Sequence, residues 1–318
     1  MKAMLVLTAP PPPAISTTRI SNISKPTSVF GSHAGNNRGF LPLNLNLLHG
    51  TAIRSVQASA ASHGGNYGSK SSPKDSYKLS LEEIRSSLIS QEDSIIFSLL
   101  ERAQYCYNGK TYDLQAFSKD GLSGSLVEYL VKETEKLHAQ VGRYKSPDEN
   151  PFFPDNLPAL SSTPLQYPQV PHPVADSINI NEKVRSMYFK SLIPKLVKEG
   201  DDGNYGSTAV CDMICLQALS KRIHYGKFVA EAKFQESPDE YEAAIRKQDK
   251  EKLMDMLTFP SVEEAVKRRV EMKAKTFGQK HGAPDYKIKP TLVAQLYGEW
   301  IMPLTKEVEV QYLLRRLD

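Results

Sequence analysis

Patterns that start helices recur along the chain from Tyr77 to the C-terminus, whereas alternating strand patterns are almost absent. Ser80-Leu81-Glu82-Glu83 has the form of a capping box, in which the serine and the last glutamate satisfy each other's free backbone amides. Apolar residues with helical spacing follow at Leu81, Ile84, Leu88, Ile95 and Leu99. The segment therefore predicts an amphipathic helix that begins just after Ser80.

Three further segments predict helices downstream. Ser237-Pro238-Asp239-Glu240 combines a cap residue, a proline suited to the first helical position and acidic residues in the first turn. Ser261-Val262-Glu263-Glu264 predicts a helix that ends near Gly278. The run from Thr208 to Phe234 contains no proline and one internal glycine, Gly226, so it predicts a long and nearly uninterrupted helix.

Prolines mark the remaining boundaries. Pro303 is expected to kink or split a helix that resumes at Leu304 and ends at Leu317, because proline removes a helical hydrogen bond. Eight prolines between Lys145 and Val174 exclude a helix there, although apolar residues in that segment can bury surface. Together these patterns predict an all-α fold, a single-domain helical bundle with a long Pro-rich ordered crossover.

The N-terminal part of the chain has a different composition. The first 74 residues contain no Asp or Glu, but they hold seven Lys or Arg, eleven Ser and five Thr. A basic, acid-free segment rich in Ser and Thr is typical of organelle transit peptides. We predict a disordered transit peptide over residues 1–65, with processing near Val56–Ser59, and a helical domain over residues 77–318. The alternative is a disordered tail that stays attached.

The net charge of the whole chain, +4, comes from this leader. Seven of the 40 Lys and Arg residues precede Asp75, which leaves 33 against 36 acidic residues and a net charge of −3 for the remainder. An RNA-binding helical protein is one possible function for a basic chain, and the negative charge of the remainder argues against it. No apolar run approaches the roughly 20 residues that a membrane-spanning helix needs. We therefore expect neither nucleic acid nor membrane as a partner.

Familiar catalytic and metal-binding motifs are missing. The chain has no Gly-rich phosphate loop ending in Gly-Lys-Ser/Thr, no His-Glu-x-x-His and no Gly-x-Ser-x-Gly. Cys211 and Cys215 lie one helical turn apart, but no further Cys or His is near them in the sequence. We interpret both as buried structural thiols, so no metal site is predicted.

Two cations on the long predicted helix are the most informative pair. Arg222 and Lys233 are eleven residues apart, which brings them to within roughly 20° of one helix face and about 16 Å apart along the axis. Gly226 and Val229 lie between them on that face. Because glycine has no side chain, we expect room there for a small anion. The alternative is two solvated charges on an exposed stripe.

Other charged and polar residues are ambiguous by themselves. Thr305 and Glu309 lie one turn apart on one face of the C-terminal helix. Arg85 borders the apolar stripe of the first helix, and Glu263 lies in a first turn, where the helix dipole alone explains an acid. By themselves, residues in such positions are more often solvated surface, so each of these signals is weak.

Longer strings resolve this ambiguity. They are Glu92–Phe97, Ser146–Glu149 followed by Pro151–Pro154, Arg222–Phe234, Thr305–Val310 and Tyr312–Leu317. In this order they closely resemble eukaryotic chorismate mutases, and the resemblance covers essentially all of residues 77–318. The acid-free leader is similar to that of the plastid forms of plants. The resemblance implies an all-helical homodimer in the chloroplast stroma that converts chorismate to prephenate without cofactor or metal, the committed step toward phenylalanine and tyrosine.

The resemblance also implies roles for individual residues. Arg85 and Arg222 match arginines that hold the two substrate carboxylates. Lys233 and Glu309 match the two partners of the ether oxygen, and Glu309 can donate there only when protonated. Glu263 matches the acceptor of the ring hydroxyl, and Thr305 helps to fix a carboxylate. Fungal members carry an asparagine where Phe259 stands here, which places a side-chain hydrogen bond at this position in doubt.

A second site for tryptophan, tyrosine and phenylalanine is implied at the dimer interface. The matching positions are Gly142, Arg143, Asn204, Tyr205, Gly206 and Ser207. Gly206-Ser207 just before a long helix suits an effector carboxylate, although a plain helix start is the alternative. Two departures from the fungal pattern leave the direction of regulation open, since Gly142 replaces one of two paired arginines and Lys289 replaces a threonine linked to regulation. A non-catalytic sensor of aromatic amino acids is the alternative function.

Overall fold

The computed structural model describes residues 80–118, 121, 123–155, 157–161, 171–279 and 285–318. The predicted transit peptide over residues 1–65 lies outside these ranges. Within them the chain forms helices and turns without a β-strand, and one isolated antiparallel bridge joins Gln279 and Tyr286. The all-α prediction is confirmed. In the same described ranges, no helix is long and apolar enough to cross a membrane.

The helices are numbered here along the chain. The first four are α1 (Leu81–Arg102), α2 (Leu126–Gln140), α3 (Asn181–Met187) and α4 (Ile193–Leu196). The next four are α5 (Tyr205–His224), α6 (Gly226–Glu236), α7 (Pro238–Arg246) and α8 (Lys250–Leu257). The last three are α9 (Pro260–Gly278), α10 (Pro290–Leu296) and α11 (Met302–Leu314). A π-helical turn over Tyr188–Leu192 joins α3 to α4, and another over Tyr297–Ile301 joins α10 to α11.

Helix α1 begins as predicted. The Ser80 hydroxyl accepts the Glu83 amide at 3.2 Å, and the Ser80 amide donates to the Glu83 carboxylate at 2.9 Å, so the capping box is complete. Ile95 and Leu99 of the predicted stripe are buried in the core, whereas Leu81 in the first turn is exposed. The stripe therefore faces the interior from Ile84 onward.

Helix α5 lies at the centre of the bundle and packs against α1, α2 and α11. Its residues Leu216, Leu219 and Ile223 are buried with Val308 and Leu313 of α11 in one core cluster. A buried ion pair between Arg102 Nε and Asp212 Oδ1, 2.6 Å apart, joins the end of α1 to α5. These contacts fix the direction in which α5 leads into α6.

The long helix expected from Thr208 to Phe234 is divided in the structure. Helix α5 ends at His224 and α6 begins at Gly226, with Tyr225 as a single turn residue between them. The break lies beside the one glycine that the sequence places in this run, and glycine is a poor former of helix interiors. Arg222 and Lys233 therefore lie on two successive helices.

Other helix boundaries differ from the sequence patterns by a few residues. Helix α7 begins at Pro238 as expected, but the Ser237 side chain makes no capping hydrogen bond. Helix α9 begins at Pro260, one residue before the expected cap Ser261, and it ends at Gly278 as expected. Pro303 lies in the first turn of α11, where no amide donor is needed, and the irregularity precedes it as the π-turn.

The Pro-rich crossover contains no α-helix in its described portions, 145–155, 157–161 and 171–174. Phe152 and Phe153 pack against the core, as the apolar content of the segment predicts. Their backbone amides donate to the buried Glu135 carboxylate of α2 at 2.6 and 2.9 Å. The Glu135 side chain thus holds this part of the crossover by accepting hydrogen bonds from backbone amides that no helix or strand satisfies.

Candidate active site

Helices α6 and α11 approach each other closely at Gly226. A Cβ atom at this position would lie 2.8 Å from the Thr305 carbonyl oxygen and 3.2 Å from Glu309 Cγ. The absent side chain therefore makes room for α11, which corrects the expectation of space for a small anion. Only glycine permits this approach of two helices, and the approach sets Thr305 and Glu309 against α6.

Gly226→Ala should lower the free energy of unfolding by about 1–3 kcal/mol, because the added methyl group overlaps the α11 backbone. The matched control is Gly206→Ala, since a Cβ at Gly206 in α5 would meet no atom within 4 Å. Urea denaturation of the two variants measures the difference. Equal stability of both variants would contradict the close approach.

Arg222 lies in the last turn of α5, almost fully buried. Its Nη1 donates to Thr305 Oγ1 at 3.3 Å, and Thr305 in turn donates to the Ile301 carbonyl at 2.6 Å. Its buried Nε has no hydrogen-bond partner among the described residues. A buried guanidinium with an unused donor is suited to binding an anion such as a carboxylate.

Lys233 and Glu309 form an ion pair across the α6–α11 contact, called here the reactive pair. Lys233 Nζ lies 3.3 Å from Glu309 Oε2, and the Glu309 side chain is only 6% exposed. Burial raises the pKa of the Glu309 carboxyl above its ordinary value, against the opposing effects of Lys233, Arg222 and Lys306. The pair therefore combines a cation with a carboxyl that takes up a proton unusually easily.

Glu263 is paired with a lysine that sequence reasoning missed. Lys306 Nζ donates to Glu263 Oε1 at 2.8 Å and to Thr258 Oγ1 at 3.2 Å. Lys306 follows Thr305 directly and precedes Glu309 by three residues, a spacing that could have shown it. We call Arg222, Lys233, Glu263, Thr305, Lys306 and Glu309 the charged cluster.

Phe259, the N-cap residue of α9, borders the charged cluster. Lys233 Nζ lies 5.3 Å from the centroid of its ring, a cation–π contact. Its carbonyl accepts the amides of Val262 and Glu263, each at 3.0 Å. Phe259 therefore contributes a ring face to Lys233, where a side-chain hydrogen bond was in doubt.

Arg85 does not join the charged cluster in this structure. Its side chain is 68% exposed, and its Nη1 pairs with Glu82 at 2.8 Å on the surface of α1. The neighbouring Ile84 packs with Tyr225 and with Ala232 of α6, so the backbone of Arg85 lies beside the helix that carries Lys233. The role of Arg85 stays a prediction.

The six predicted effector residues form two groups. Gly142 ends α2 with a left-handed backbone, φ 79°, and the next residue, Arg143, binds Glu149 at 2.9 Å and Gln217 of α5 at 3.0 Å. The second group, residues 204–207, starts α5. Gln217 lies ten residues beyond Ser207, about 15 Å along the helix, so the two groups contact α5 at different levels.

The loop before α5 holds the second group in place. The Asn204 amide donates to Asp202 Oδ1 at 3.0 Å, and the Tyr205 hydroxyl donates to Asp201 at 2.7 Å. Asp202 also accepts from the Cys106 amide and from Asn108, which lowers the pKa of its carboxyl. The first turn of α5 is therefore anchored to the segment that follows α1. Across the described residues, no group of three His, Cys, Asp or Glu side chains could hold a metal ion.

Comparison with known proteins places this geometry in context. Residues 204–310 match the family model for chorismate mutase type II. A Petunia hybrida protein, chorismate mutase 1, chloroplastic, is 67% identical over 274 residues, covering 84% of each chain. Crystal structures of AtCM1 with tyrosine and with phenylalanine bound in the allosteric site superpose with a TM-score of 0.72 at 70% identity, covering 78% of this chain and 99% of that chain. Chorismate mutase Aro7p of Candida albicans in complex with L-Trp is 38% identical, with a TM-score of 0.72, covering 74% of this chain and 91% of that chain.

Proposed function

This chain belongs to the chorismate mutase family, and from that premise we propose that its charged cluster is the place where chorismate rearranges to prephenate. The reaction is intramolecular and breaks an ether bond in a molecule with two carboxylates. Catalysis therefore requires a fixed substrate conformation and stabilisation of the charge that develops on the ether oxygen. The observation that carries the proposal is the Lys233–Glu309 pair, whose carboxyl is buried, next to the buried Arg222.

Each member of the charged cluster has a role that its contacts support. Arg222 binds one carboxylate through its unused donors, and Thr305 holds the guanidinium in place. Lys233 and protonated Glu309 donate to the ether oxygen as the C–O bond breaks. The two negative charges of the substrate raise the pKa of Glu309 further, which favours its donor form.

Two further assignments concern Glu263 and Arg85. Glu263 accepts the ring hydroxyl, and Lys306 holds its side chain in place through their 2.8 Å ion pair. Arg85 binds the second carboxylate once its side chain leaves Glu82. An exposed ion pair of this kind contributes little free energy, so the substrate's charge is sufficient to replace it.

We also propose that two copies pair through α5 and the end of α2. Val210 and Ile214 are exposed on α5, and Leu137 and Val141 are exposed at the end of α2. An antiparallel pairing of α5 centred between Val210 and Ile214 brings Ser207 opposite Gln217 of the partner subunit. The two effector groups then meet across the interface, where Gly206 and Ser207 present free amides to an amino-acid carboxylate.

In the presence of a metal chelator, the purified protein should convert chorismate to prephenate, and tryptophan, tyrosine or phenylalanine should change the rate. Gly206→Leu should bring the ratio of rates with and without effector to one, because the side chain fills the amide face. Gly206→Ala is the size control. An undiminished effector response in Gly206→Leu would contradict the site, whereas no prephenate would contradict the activity.

Relatives named chloroplastic support a plastid location for the chain. We propose the stroma as its compartment, residues 1–65 as the transit peptide and residues 77–318 as the catalytic domain. The acid-free composition of the first 74 residues supports this division.

A further inference from the structure

Helix α6 is attached to α11 at two places near the Lys233–Glu309 pair. The first attachment is the close approach at Gly226, beside Thr305. The second is a buried polar cluster formed by Glu231 of α6, Tyr312 of α11 and Arg316 just after α11. Thr305, Glu309 and Tyr312 follow one another by four and three residues, so they lie on one stripe of α11. Glu309 lies between the two attachments along α11, and Lys233 lies two residues beyond Glu231 on α6.

The Glu231 carboxylate is satisfied on both oxygens. Arg316 binds it with two parallel hydrogen bonds, Nε to Oε2 at 2.6 Å and Nη2 to Oε1 at 3.0 Å. The Tyr312 hydroxyl donates to Oε2, and Gln235 donates to Oε1 at 2.7 Å. Burial opposes ionisation, but the hydrogen bonds from Arg316, Tyr312 and Gln235 outweigh it and lower the pKa of Glu231. The carboxylate is thus a fixed charge at the α6–α11 contact.

We propose that Glu231, Tyr312 and Arg316 are positioning residues for the rearrangement, because they hold α6 in the one register on α11 that brings Lys233 and Glu309 to the same ether oxygen. The proposal rests on the roles assigned above to Lys233 and Glu309. None of the three residues is required to touch the substrate.

The reactive pair needs such positioning residues because its own contact is weak. Lys233 has a long, flexible side chain that contacts Glu309 through one 3.3 Å approach, which by itself fixes little. Glu231 precedes Lys233 by two residues, and Arg316 Cζ lies 4.7 Å from the ring of Phe234, the residue after Lys233. A displacement of a catalytic group by about 1 Å is enough to slow a reaction by a factor on the order of 10².

Loss of the contacts among Glu231, Tyr312 and Arg316 has a second consequence, which concerns the pKa of Glu309. Lys233 opposes the rise in the Glu309 pKa that burial causes, and Arg222 and Lys306 oppose it as well. If α6 moves away from α11, the Lys233 contribution weakens while those of Arg222 on α5 and Lys306 on α11 stay. The pKa of Glu309 then rises further. Because the protonated carboxyl is the donor, the fall in kcat at high pH moves to higher pH.

The test compares Arg316→Met with Arg315→Met in the full-length protein. Arg315 is the matched control, since its half-exposed side chain pairs with Asp318 and not with α6. Arg316→Met should lower kcat for chorismate at least tenfold, with KM changed less than threefold, and should move the alkaline limb of the kcat–pH profile upward. Arg316→Lys, which keeps the charge but loses the fork, should recover part of kcat and of the profile. Arg315→Met should match the parent.

Circular dichroism and thermal unfolding establish which variants are folded. If Arg316→Met does not fold, Arg316→Lys and Tyr312→Phe carry the test, and both should still lower kcat about threefold or more. Parent values of kcat and a parent pH profile in every folded variant would overturn the proposal. Lys233→Ala and Glu309→Gln are measured alongside. If these two variants lose activity while the Arg316 substitutions leave kcat unchanged, only the positioning role is overturned. If the Lys233 and Glu309 substitutions also leave kcat unchanged, the roles on which the proposal rests are overturned.

Discussion

Lys233→Ala should lower kcat for chorismate by about 10²- to 10³-fold, which corresponds to roughly 3–4 kcal/mol of transition-state stabilisation. The Lys233 side chain is partly buried and its ammonium lies 3.3 Å from the buried Glu309, so water screens its charge less than that of an exposed lysine. Its contribution grows as the ether oxygen becomes negative and is small in the bound ground state. KM should therefore change much less than kcat.

Steady-state kinetics of the variant, with Lys247→Ala as control, checks this expectation. Lys247 is an exposed lysine at the end of α7, so its removal tests for a general effect of lost positive charge. Lys233→Arg separates charge from shape, since it keeps the cation in a planar group. A kcat within threefold of the parent for Lys233→Ala would remove the lysine from the mechanism.

Helix positions could be predicted from local chemistry wherever a cap or a glycine marks the boundary. The capping box at Ser80 and the helix end at Gly278 depend on backbone groups within one turn, and both are found as expected. The break at Tyr225 and the π-turn over Tyr297–Ile301 depend on how α5, α6 and α11 pack together. No local pattern specifies the π-turn, and Gly226 beside the break lowers helix propensity without requiring the helix to divide.

The site shows the same division. Periodicity placed Arg222 and Lys233 on one side of a helix and allowed that side to be solvated. The burial of Arg222 comes from packing between helices, and Lys233 contacts Glu309, a residue 76 positions away in the chain. Lys306 was overlooked because its partner Glu263 lies on another helix. From the sequence, Gly226 predicts room for a small anion, but the atoms that fill the space beside it belong to α11.

Lys306 also explains why two glutamates of the charged cluster are expected to differ in role. Glu263 has an ammonium at 2.8 Å in a partly exposed setting, which orients its oxygens to accept a hydrogen bond. Glu309 is buried more deeply, and its lysine lies farther away at 3.3 Å. Similar groups in different surroundings can thus serve as acceptor and donor in one site.

The kcat of the parent enzyme should fall as pH rises through the pKa of Glu309, and Glu309→Gln should flatten that fall. Burial raises this pKa above the ordinary value of a glutamic acid, so the proton stays on to higher pH. Above the pKa, each pH unit lowers the protonated fraction, and with it the rate, about tenfold. A glutamine amide donates at every pH, so the variant has no proton to lose.

The comparison is clearest on the alkaline side. Glu309→Gln should be slower than the parent at low pH, because an amide is a weaker donor than a carboxylic acid, and faster at high pH, where the parent carboxyl is ionised. Glu307→Gln is the control, since Glu307 lies two residues away and pairs with Lys183 on the surface. The kcat–pH profiles of the three proteins decide the assignment. A Glu309→Gln profile with the parent's shape would place the titrating donor elsewhere.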